Sequence, residues 1–414
     1  MTDPELLNEQ VLLARQPIYD SQLEIHAYEL LFRPSKALVR DDDWDPDYAT
    51  SRVLLHAFTS LDTRMVTGGK LAFVNFTRSL ILDTPKLKTK DIIIEVLEDL
   101  TPDQELFEAL RLLTKLGYGI ALDDFVYDPA WDDIIGLAKY IKIDVLHLNH
   151  DQIREQVSLL KRFDVELLAE KVEDLKTFKL CKSLGFKYFQ GYFLCHPECV
   201  RGKTLPTSRL AVLKLLGELQ DPEIEISQLQ KTVAHDPSLS AKLLKIFEAS
   251  SYSHLPKIQS IQHAITLIGI IQLRNWANLL VLSKLDNKPH ALLLTALNRA
   301  KFCEALAIKG RKQNTDQYFT AGLFSLLDAF FDSTLEEVLE RLPISDELSN
   351  ALLKYEGKVG MLLKFVIDYE QAKWEDLKDD YIDANNLTEV DIEEAYFESI
   401  AWASDISKSM FGSI

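Results

Sequence analysis

Polar side chains lie at or near the ends of six short apolar segments in the first 200 residues. Carboxylate and amide oxygens, which dominate this set, are the ligands that hard divalent cations such as Mg²⁺ and Mn²⁺ prefer. Two such cations would polarise a phosphate and generate hydroxide, the usual route to metal-assisted phosphodiester hydrolysis. A lysine among them would offset charge or activate a water. In chain order the residues are Asn75, Glu95, Asp123 with Asp124, Lys142 with Asp144, Glu170 and Gln190.

One polar residue at a strand end has an ordinary explanation, because strand ends are solvated. Six strand ends in order, mostly carboxylates with apolar neighbours, favour a functional interpretation. Like charges crowded together are costly unless cations are bound, and this cost is the physical reason to predict metal.

The elements that must position these residues are strands that alternate with amphipathic helices. Such alternation predicts βα units and a mainly parallel sheet, and seven or so repeats in 200 residues favour a TIM-like barrel over an open sheet. Because the carboxyl ends of barrel strands converge on one rim, residues distant in sequence would share one site. The predicted strands are 11–15, 71–76, 91–96, 119–124, 140–144, 165–170 and 187–193.

The strand pattern stops after Thr204, and the rest of the chain has helical periodicity. Helix-start signals recur there, including Thr334 with Glu337 and Thr388 with Asp391 at capping spacing. We therefore predict two domains, an α/β barrel over residues 1–203 and an all-α domain over 204–414.

Composition narrows the class of protein. The formal net charge of −18 argues against DNA binding, which needs clustered basic residues. From Phe365 to Ile414, 13 acids face three lysines, so more than half of the excess charge lies in the last 50 residues. No apolar segment is long enough to span a membrane, no secretory signal is visible, and the four cysteines do not suggest a disulfide framework. We expect a cytoplasmic protein.

The first 200 residues resemble the EAL domain, the bacterial cyclic-di-GMP phosphodiesterase barrel. The resemblance rests on ARQPIYD, AYELLFR, FVNF, IIIEVLE, LDDF, YIKID, LLAEKVE and FQGYF, with Glu29-Leu30-Leu31 in place of the signature Glu-Ala-Leu. It implies metal ligands at Glu29, Asn75, Glu95 and Asp123, with Asp124 as a second, metal-bridging aspartate. It also implies that Lys142 orients or activates the attacking water and that Glu170 and Gln190 complete the site. Gln16 and Arg33 fall where the family contacts the dinucleotide, and Glu98 matches the acid that steadies the loop after Asp124.

Two departures from the family pattern bear on turnover. The Gly-Thr-Gly loop that usually follows the two aspartates reads Val126-Tyr127-Asp128-Pro129 here, and Lys171 stands where the family has glycine. Without glycine, positive φ becomes costly, and Pro129 stiffens the segment. Two functions stay open: hydrolysis of cyclic-di-GMP to pGpG with Mg²⁺ or Mn²⁺, two ions by the family pattern, or a catalytically weak EAL domain that acts as a cyclic-di-GMP receptor or interaction scaffold.

The second domain resembles the HDOD domain, an all-helical relative of the HD phosphohydrolases. In metal-dependent relatives the helix Ala-Gly-Leu-Leu is followed by His-Asp, whereas Ala321-Gly322-Leu323-Phe324 is followed here by Ser325-Leu326. Ser and Leu cannot replace these metal ligands, and His235-Asp236 is interpreted as a helix cap. We therefore expect a regulatory module that binds a protein partner. EAL and HDOD in this order resemble the YuxH-like class of signalling proteins, and a homodimer stays open.

Overall fold

The computed structural model describes residues 11–34, 66–83, 90–196, 207–220, 261–283, 285, 288–375, 377, 382, 385 and 387–411. The chain divides into two compact units, Met1–Leu194 with Glu370–Trp374, and Cys195–Tyr369 with Glu375–Ile414. The boundary between residues 203 and 204 stays a prediction.

Eight strands form a closed barrel in the first unit, in sequence order around the ring. Strands β2 to β8 pair with one another in parallel, whereas β1 is antiparallel to both β2 and β8. The predicted barrel is therefore confirmed, with one strand reversed. The strands are β1 (Val11–Asp20), β2 (Ile25–Pro34), β3 (Leu71–Phe76), β4 (Ile92–Val96), β5 (Gly119–Leu122), β6 (Tyr140–Asp144), β7 (Glu166–Glu170) and β8 (Tyr188–Gln190).

Each of the seven predicted strands corresponds to an observed one, and β3 and β6 match to the residue. The eighth, β2, is absent from the prediction although it carries Glu29. In β2 polar side chains interrupt the apolar residues, so the segment lacks the compact apolar run that marks the other strands. Its partners on both sides, β1 and β3, fix it in the barrel.

Helices follow most strands of the barrel. The described helices are α1 (Arg78–Asp83), α2 (Gln104–Leu116), α3 (Asp132–Ile135), α4 (His150–Leu160) and α5 (Leu175–Leu184). Helix α2 begins at Asp103, whose side chain accepts a hydrogen bond from Leu106 N, and ends at Gly117 with φ of 103°. Helix α4 begins with a complete capping box between Asn149 and Gln152. These caps explain why each helix begins and ends where it does.

One ring of apolar side chains fills the barrel interior. Each strand from β2 to β7 contributes one member, and β1 contributes Ile18; Tyr188 of β8 packs against the ring. Because side chains alternate between the two faces of a strand, the residue two positions along each strand also points inward. The ring therefore supports whatever lies in the next layer towards the carboxyl ends. Its members are Ile18, Ala27, Phe73, Ile93, Ala121, Tyr140 and Leu168.

The second unit contains helices and no strand among its described residues, as predicted. Its helices are α6 (Thr207–Gln220), α7 (Ile261–Leu282), α8 (His290–Lys309), α9 (Thr315–Phe324), α10 (Leu327–Phe331), α11 (Leu335–Leu339), α12 (Asp346–Lys354), α13 (Gly357–Glu370) and α14 (Glu389–Phe411). Thr334 accepts a hydrogen bond from Glu337 N at the start of α11, and Thr388 and Asp391 bond reciprocally at the start of α14. His235 and Asp236 lie outside the described residues. Among the described helices, none is long and apolar enough to cross a membrane.

The acidic C-terminal helix α14 packs one face into the second unit. Ile392, Tyr396 and Ala403 are fully or almost fully buried, whereas Glu394 is exposed and pairs with Lys309 at 2.6 Å. Glu394 and Glu398 therefore lie on the solvated face of a packed helix.

Candidate active site at the barrel mouth

A ring of polar side chains lies directly above the apolar ring. In each parallel strand, the residue two positions after the member of the apolar ring is polar. For example, Glu29 follows Ala27 and Lys142 follows Tyr140. In the antiparallel strand β1 the count runs backwards, from Ile18 to Gln16. The barrel thus gathers eight of the predicted residues in one layer: Gln16, Glu29, Asn75, Glu95, Asp123, Lys142, Glu170 and Gln190.

Lys142 is the centre of this layer and is fully buried. Its Nζ lies 2.5 Å from Glu95 Oε1, 2.6 Å from Asp123 Oδ1, 2.8 Å from Glu170 Oε1 and 3.6 Å from Glu29 Oε2. Lys142 Nζ, Glu95 Oε1 and Asp123 Oδ1 fall outside hydrogen-bond geometry, but at such distances between buried opposite charges they are ion pairs. We call Lys142 and these four carboxylates the inner cluster.

The inner cluster carries more negative than positive charge, since four carboxyl groups face one ammonium. Burial, with the nearby Glu29 carboxylate, raises the pKa of Glu95 well above its ordinary value. Burial also raises the pKa of Glu170, to about 8, against the opposing effect of Lys142. Burial alone would lower the pKa of Lys142, but the carboxylates outweigh it and raise that pKa well above its usual range. Lys142 is therefore a permanent cation, and the cluster has room for more positive charge.

The donor atoms suit a hard divalent cation. Within the described part of the chain, Asn75 Oδ1, Glu95 Oε2 and Glu170 Oε2 are buried without a hydrogen-bond partner. Oxygen donors with excess negative charge are what Mg²⁺ and Mn²⁺ require. No group of three His, Cys, Asp or Glu side chains among the described residues is already arranged around a metal position. The carboxylates converge on Lys142 instead, so metal binding would draw some of them away from its ammonium.

Two glutamines hold Glu29 in place. Gln190 Nε2 donates to Glu29 Oε2 at 2.5 Å and to Gln16 Oε1 at 3.1 Å. Asn75 Nδ2 makes a longer contact, 3.5 Å, with Glu29 Oε1. The structure thus ties Gln16 and Gln190 to a carboxylate of the inner cluster, while their contact with a dinucleotide stays a prediction. Arg33 lies in β2 opposite Leu12, and its side chain is outside the described residues.

Asp124 lies beside this layer and has a different partner. Its carboxylate pairs with the ammonium of Lys171 at 3.0 Å, and the same ammonium contacts Asp144 Oδ2 at 2.7 Å. We call Asp124, Asp144 and Lys171 the rim triad. The structure therefore brings Asp123 but not Asp124 to Lys142, and the metal-bridging role of Asp124 stays a prediction.

Comparison with known proteins identifies the family. The EAL domain family matches residues 52–197 and the HDOD domain family matches residues 205–342. The chain is 33% identical over 402 residues to the cyclic di-GMP phosphodiesterase CdgJ of Vibrio cholerae, covering 96% of this chain and 93% of CdgJ. This protein belongs to the EAL–HDOD family.

A second relative has the same extent. The uncharacterized protein YuxH of Bacillus subtilis is 33% identical over 408 residues, covering 96% of this chain and 99% of YuxH. Klebsiella pneumoniae BlrP1, solved in complex with calcium and cyclic-di-GMP, is 18% identical with a TM-score of 0.39, over 47% of this chain and 57% of that one. That structural likeness is too weak to carry an inference. The predicted EAL-type barrel joined to an HDOD domain is confirmed by the family matches and the two full-length relatives.

The loop that replaces Gly-Thr-Gly in this EAL domain is fixed by residues that the sequence did not single out. Tyr127 N donates to Gln156 Oε1 at 2.9 Å, and Tyr127 Oη donates to Asp132, which also pairs with Arg162 at 2.6 Å. In the sequence, only Pro129, which stiffens the segment, pointed to order here. Glu98 lies in an exposed turn and bonds none of the described residues of this loop, so its predicted loop-stabilising role has no support in these contacts.

The position of the lost His-Asp pair in the HDOD domain is filled by a structural contact. Ser325 Oγ donates to Gly322 O at 2.8 Å and accepts from Arg299 Nη1 at 3.0 Å, and Arg299 is almost fully buried. A Cβ on Gly322 would lie 2.6 Å from Ala300 Cα, so α8 and α9 pack backbone to backbone. These residues stabilise helix packing where metal-dependent relatives have a metal centre.

Proposed function

We propose that this protein is a phosphodiesterase that hydrolyses cyclic-di-GMP to linear pGpG and requires Mg²⁺ or Mn²⁺. The inner cluster carries the proposal, because four buried carboxyl groups around one lysine, with unpaired oxygens beside them, are suited to binding a divalent cation. The named activity of CdgJ, a relative that this chain matches over nearly its whole length, supports the choice of substrate.

The residues of the polar layer divide the work. Glu29, Asn75, Glu95 and Asp123 would hold the metal, which when bound polarises the phosphate and activates water. The carboxylates raise the pKa of Lys142 above its usual range despite its burial, so we assign Lys142 the role of orienting the carboxylates and offsetting their charge. With its pKa raised to about 8, Glu170 exchanges a proton near neutral pH, and we assign it the proton from the attacking water. Gln16, Arg33 and Gln190 complete the proposal as contacts to the dinucleotide.

The HDOD domain is proposed to be the regulatory module. Its described residues fill the former metal position with a buried Arg–Ser contact, which favours binding of a protein partner over a second hydrolytic reaction. The cytoplasmic location and a homodimer stay predictions from the sequence.

A receptor function is the second candidate, and one observation favours it. Asp124, the predicted metal-bridging aspartate, is paired with the ammonium of Lys171. A barrel that binds the dinucleotide without cleaving it would signal through the HDOD domain.

Product analysis separates the two functions. The full-length protein is incubated with cyclic-di-GMP and Mn²⁺, and pGpG is quantified by chromatography. We expect Glu95→Gln to lower the rate roughly 100-fold or more and Glu29→Ala to abolish turnover, because each removes a carboxylate from the inner cluster.

The matched control is Glu105→Gln, which removes an exposed carboxylate that pairs with Arg78 in the same domain. It should retain the full rate. Tight binding of cyclic-di-GMP without formation of pGpG would establish the receptor. If the protein neither binds nor cleaves cyclic-di-GMP, both functions are rejected.

A further inference from the structure

The carboxyl ends of three consecutive strands contribute to both charged groups at the barrel mouth. At or just after the end of each of β5, β6 and β7, one residue joins the inner cluster and, one or two positions later, one joins the rim triad. The rim triad therefore repeats the pattern of the inner cluster one layer further out: a lysine ammonium between carboxylates. The pairs are Asp123 and Asp124, Lys142 and Asp144, and Glu170 and Lys171.

We propose that the Lys171 ammonium is a tethered cation that takes the place of a divalent ion between Asp124 and Asp144, so that this mouth binds one divalent ion fewer than its carboxylates would otherwise hold. The inference rests on the proposed metal site of the phosphodiesterase. It assigns to Lys171 a positioning role, because the side chain acts through Asp124.

The contacts place the ammonium where a shared cation would lie. Lys171 Nζ is 3.3 and 3.0 Å from the two oxygens of Asp124 and 2.7 Å from Asp144 Oδ2. Asp144 is also held by Leu146 N and by His147 Nδ1, which keeps its carboxylate facing the lysine. A divalent ion bound to Asp124 would have to displace the ammonium, because two cations cannot share these oxygens without strong repulsion.

The backbone conformation of Asp124 and Lys171 directs their side chains towards one another. Asp124 has φ of 41° and Lys171 has φ of 53°, a region that residues other than glycine rarely occupy. Such strain persists where the surrounding structure imposes it, and it often marks a functional position.

Backbone hydrogen bonds before and after Asp124 and Lys171 impose the positive φ on these two residues. Asp123 N donates to Val96 O and Phe125 N to Lys142 O, so the chain is fixed before and after Asp124. Glu170 O accepts from Val145 N and Val172 N donates to Gln190 O, so the same holds for Lys171. Gly191 closes this second contact, since a Cβ there would lie 2.1 Å from Val172 O. The backbone of Lys171 is thereby fixed at the rim, beside Asp124 and Asp144.

Counting bound ions tests the inference. Equilibrium dialysis with Mn²⁺, checked by the electron paramagnetic resonance signal of the free ion, gives the number bound per full-length chain. We expect Lys171→Gly to bind one Mn²⁺ more than the wild type, about two against about one, because it frees Asp124 and relaxes the positive φ. Lys171→Met, which keeps a long side chain but no charge, should also gain an ion. Adding Asp124→Asn to Lys171→Gly should remove the gained ion.

The matched control is Lys187→Met. Lys187 pairs with one carboxylate, Glu166 at 2.8 Å, but it lies just before β8 and away from the rim, so its loss should leave the count unchanged. Equal counts in the wild type and both Lys171 variants would overturn the inference, as would a gained ion that persists without Asp124. The criterion is the difference in the number of bound Mn²⁺ ions between variants, so it applies whether or not pGpG forms. The hydrolysis assay tests the proposed function separately.

Discussion

Two lysines each pair with more than one carboxylate at the mouth of this barrel, and they differ in how much of the side chain is exposed to solvent. Lys142 is fully buried among the inner cluster, whereas the side chain of Lys171 is 46% exposed in the rim triad. Both sit between carboxylates at 2.5–3.0 Å. The contacts look alike, but an ion pair in water contributes little to stability, while a buried charge without a partner is severely penalised.

The comparison shows that distance alone does not rank ionic contacts. In the inner cluster, burial raises the pKa values of Glu95 and Glu170, because one ammonium does not balance four buried carboxyl groups. A further cation would stabilise the charged forms of these groups. In the rim triad, partial burial acts to raise the pKa of Asp144, but the contacts with Lys171, Leu146 N and His147 together outweigh it and lower that pKa, which leaves the carboxylate charged and satisfied. We therefore expect the inner cluster to govern stability and, under the proposed function, metal affinity, and we propose that the rim triad governs which oxygens a metal reaches.

Removal of the buried lysine should have the largest effect. In Lys142→Met the four carboxyl groups lose their common cation while they stay buried, and we expect the free energy of unfolding to fall by about 3–5 kcal/mol without metal. Urea denaturation in the presence of a chelator measures this loss.

Lys171→Met is the paired variant, with the same chemical change at the exposed lysine. Its loss should stay within about 1 kcal/mol. Similar losses at the two positions would break the comparison, since burial would then not distinguish them.

Glu170 should make stability depend on pH in the metal-free protein. Its folded pKa of about 8 exceeds that of a free carboxyl group, so the folded state holds a proton that the unfolded state has released. The associated stability is complete below about pH 4.5 and is lost as pH rises towards and through 8. Between pH 6 and 8 we expect a loss of about 2 kcal/mol from this group.

The measurement is urea denaturation at pH 6 and 8 for wild type and Glu170→Gln, with a chelator present. The difference between the two proteins isolates Glu170, because other groups, such as His26 with its lowered pKa, titrate in both. A difference that does not change with pH would show that this carboxyl is ionised throughout the range.

Much of the polar layer could be predicted because one rule places it. Alternation along a strand puts residues i and i+2 on the same face, so Asn75, Glu95, Lys142 and Glu170 fall together once the barrel is recognised. The periodicity that predicted the strands therefore also predicted most of the site. Glu29 was found only through a family resemblance, because the sequence pattern of β2 did not mark it as a strand.

The rim triad could not be predicted in the same way. It depends on two residues at positive φ, Asp124 and Lys171, which break the alternation and point their side chains away from the polar layer. The one signal in the sequence was that Lys171 stands where the EAL family has glycine, and the hydrogen bonds of the neighbouring strands impose the positive φ on it. The contacts of the loop after Asp124 join residues about 30 positions apart and have no local signal.

The smallest expected effect concerns the backbone at Lys171. Lys171→Gly and Lys171→Ala both remove the ion pairs, but only glycine adopts φ of 53° without strain, so the glycine variant should be the more stable by about 1 kcal/mol. Thermal and urea denaturation of both variants measure the difference. The same two substitutions at Lys182, inside helix α5, should give the opposite order, because alanine favours a helix over glycine by a similar amount. If alanine were the more stable at both positions, the strain at Lys171 would be absent, and the ammonium would be free to leave Asp124.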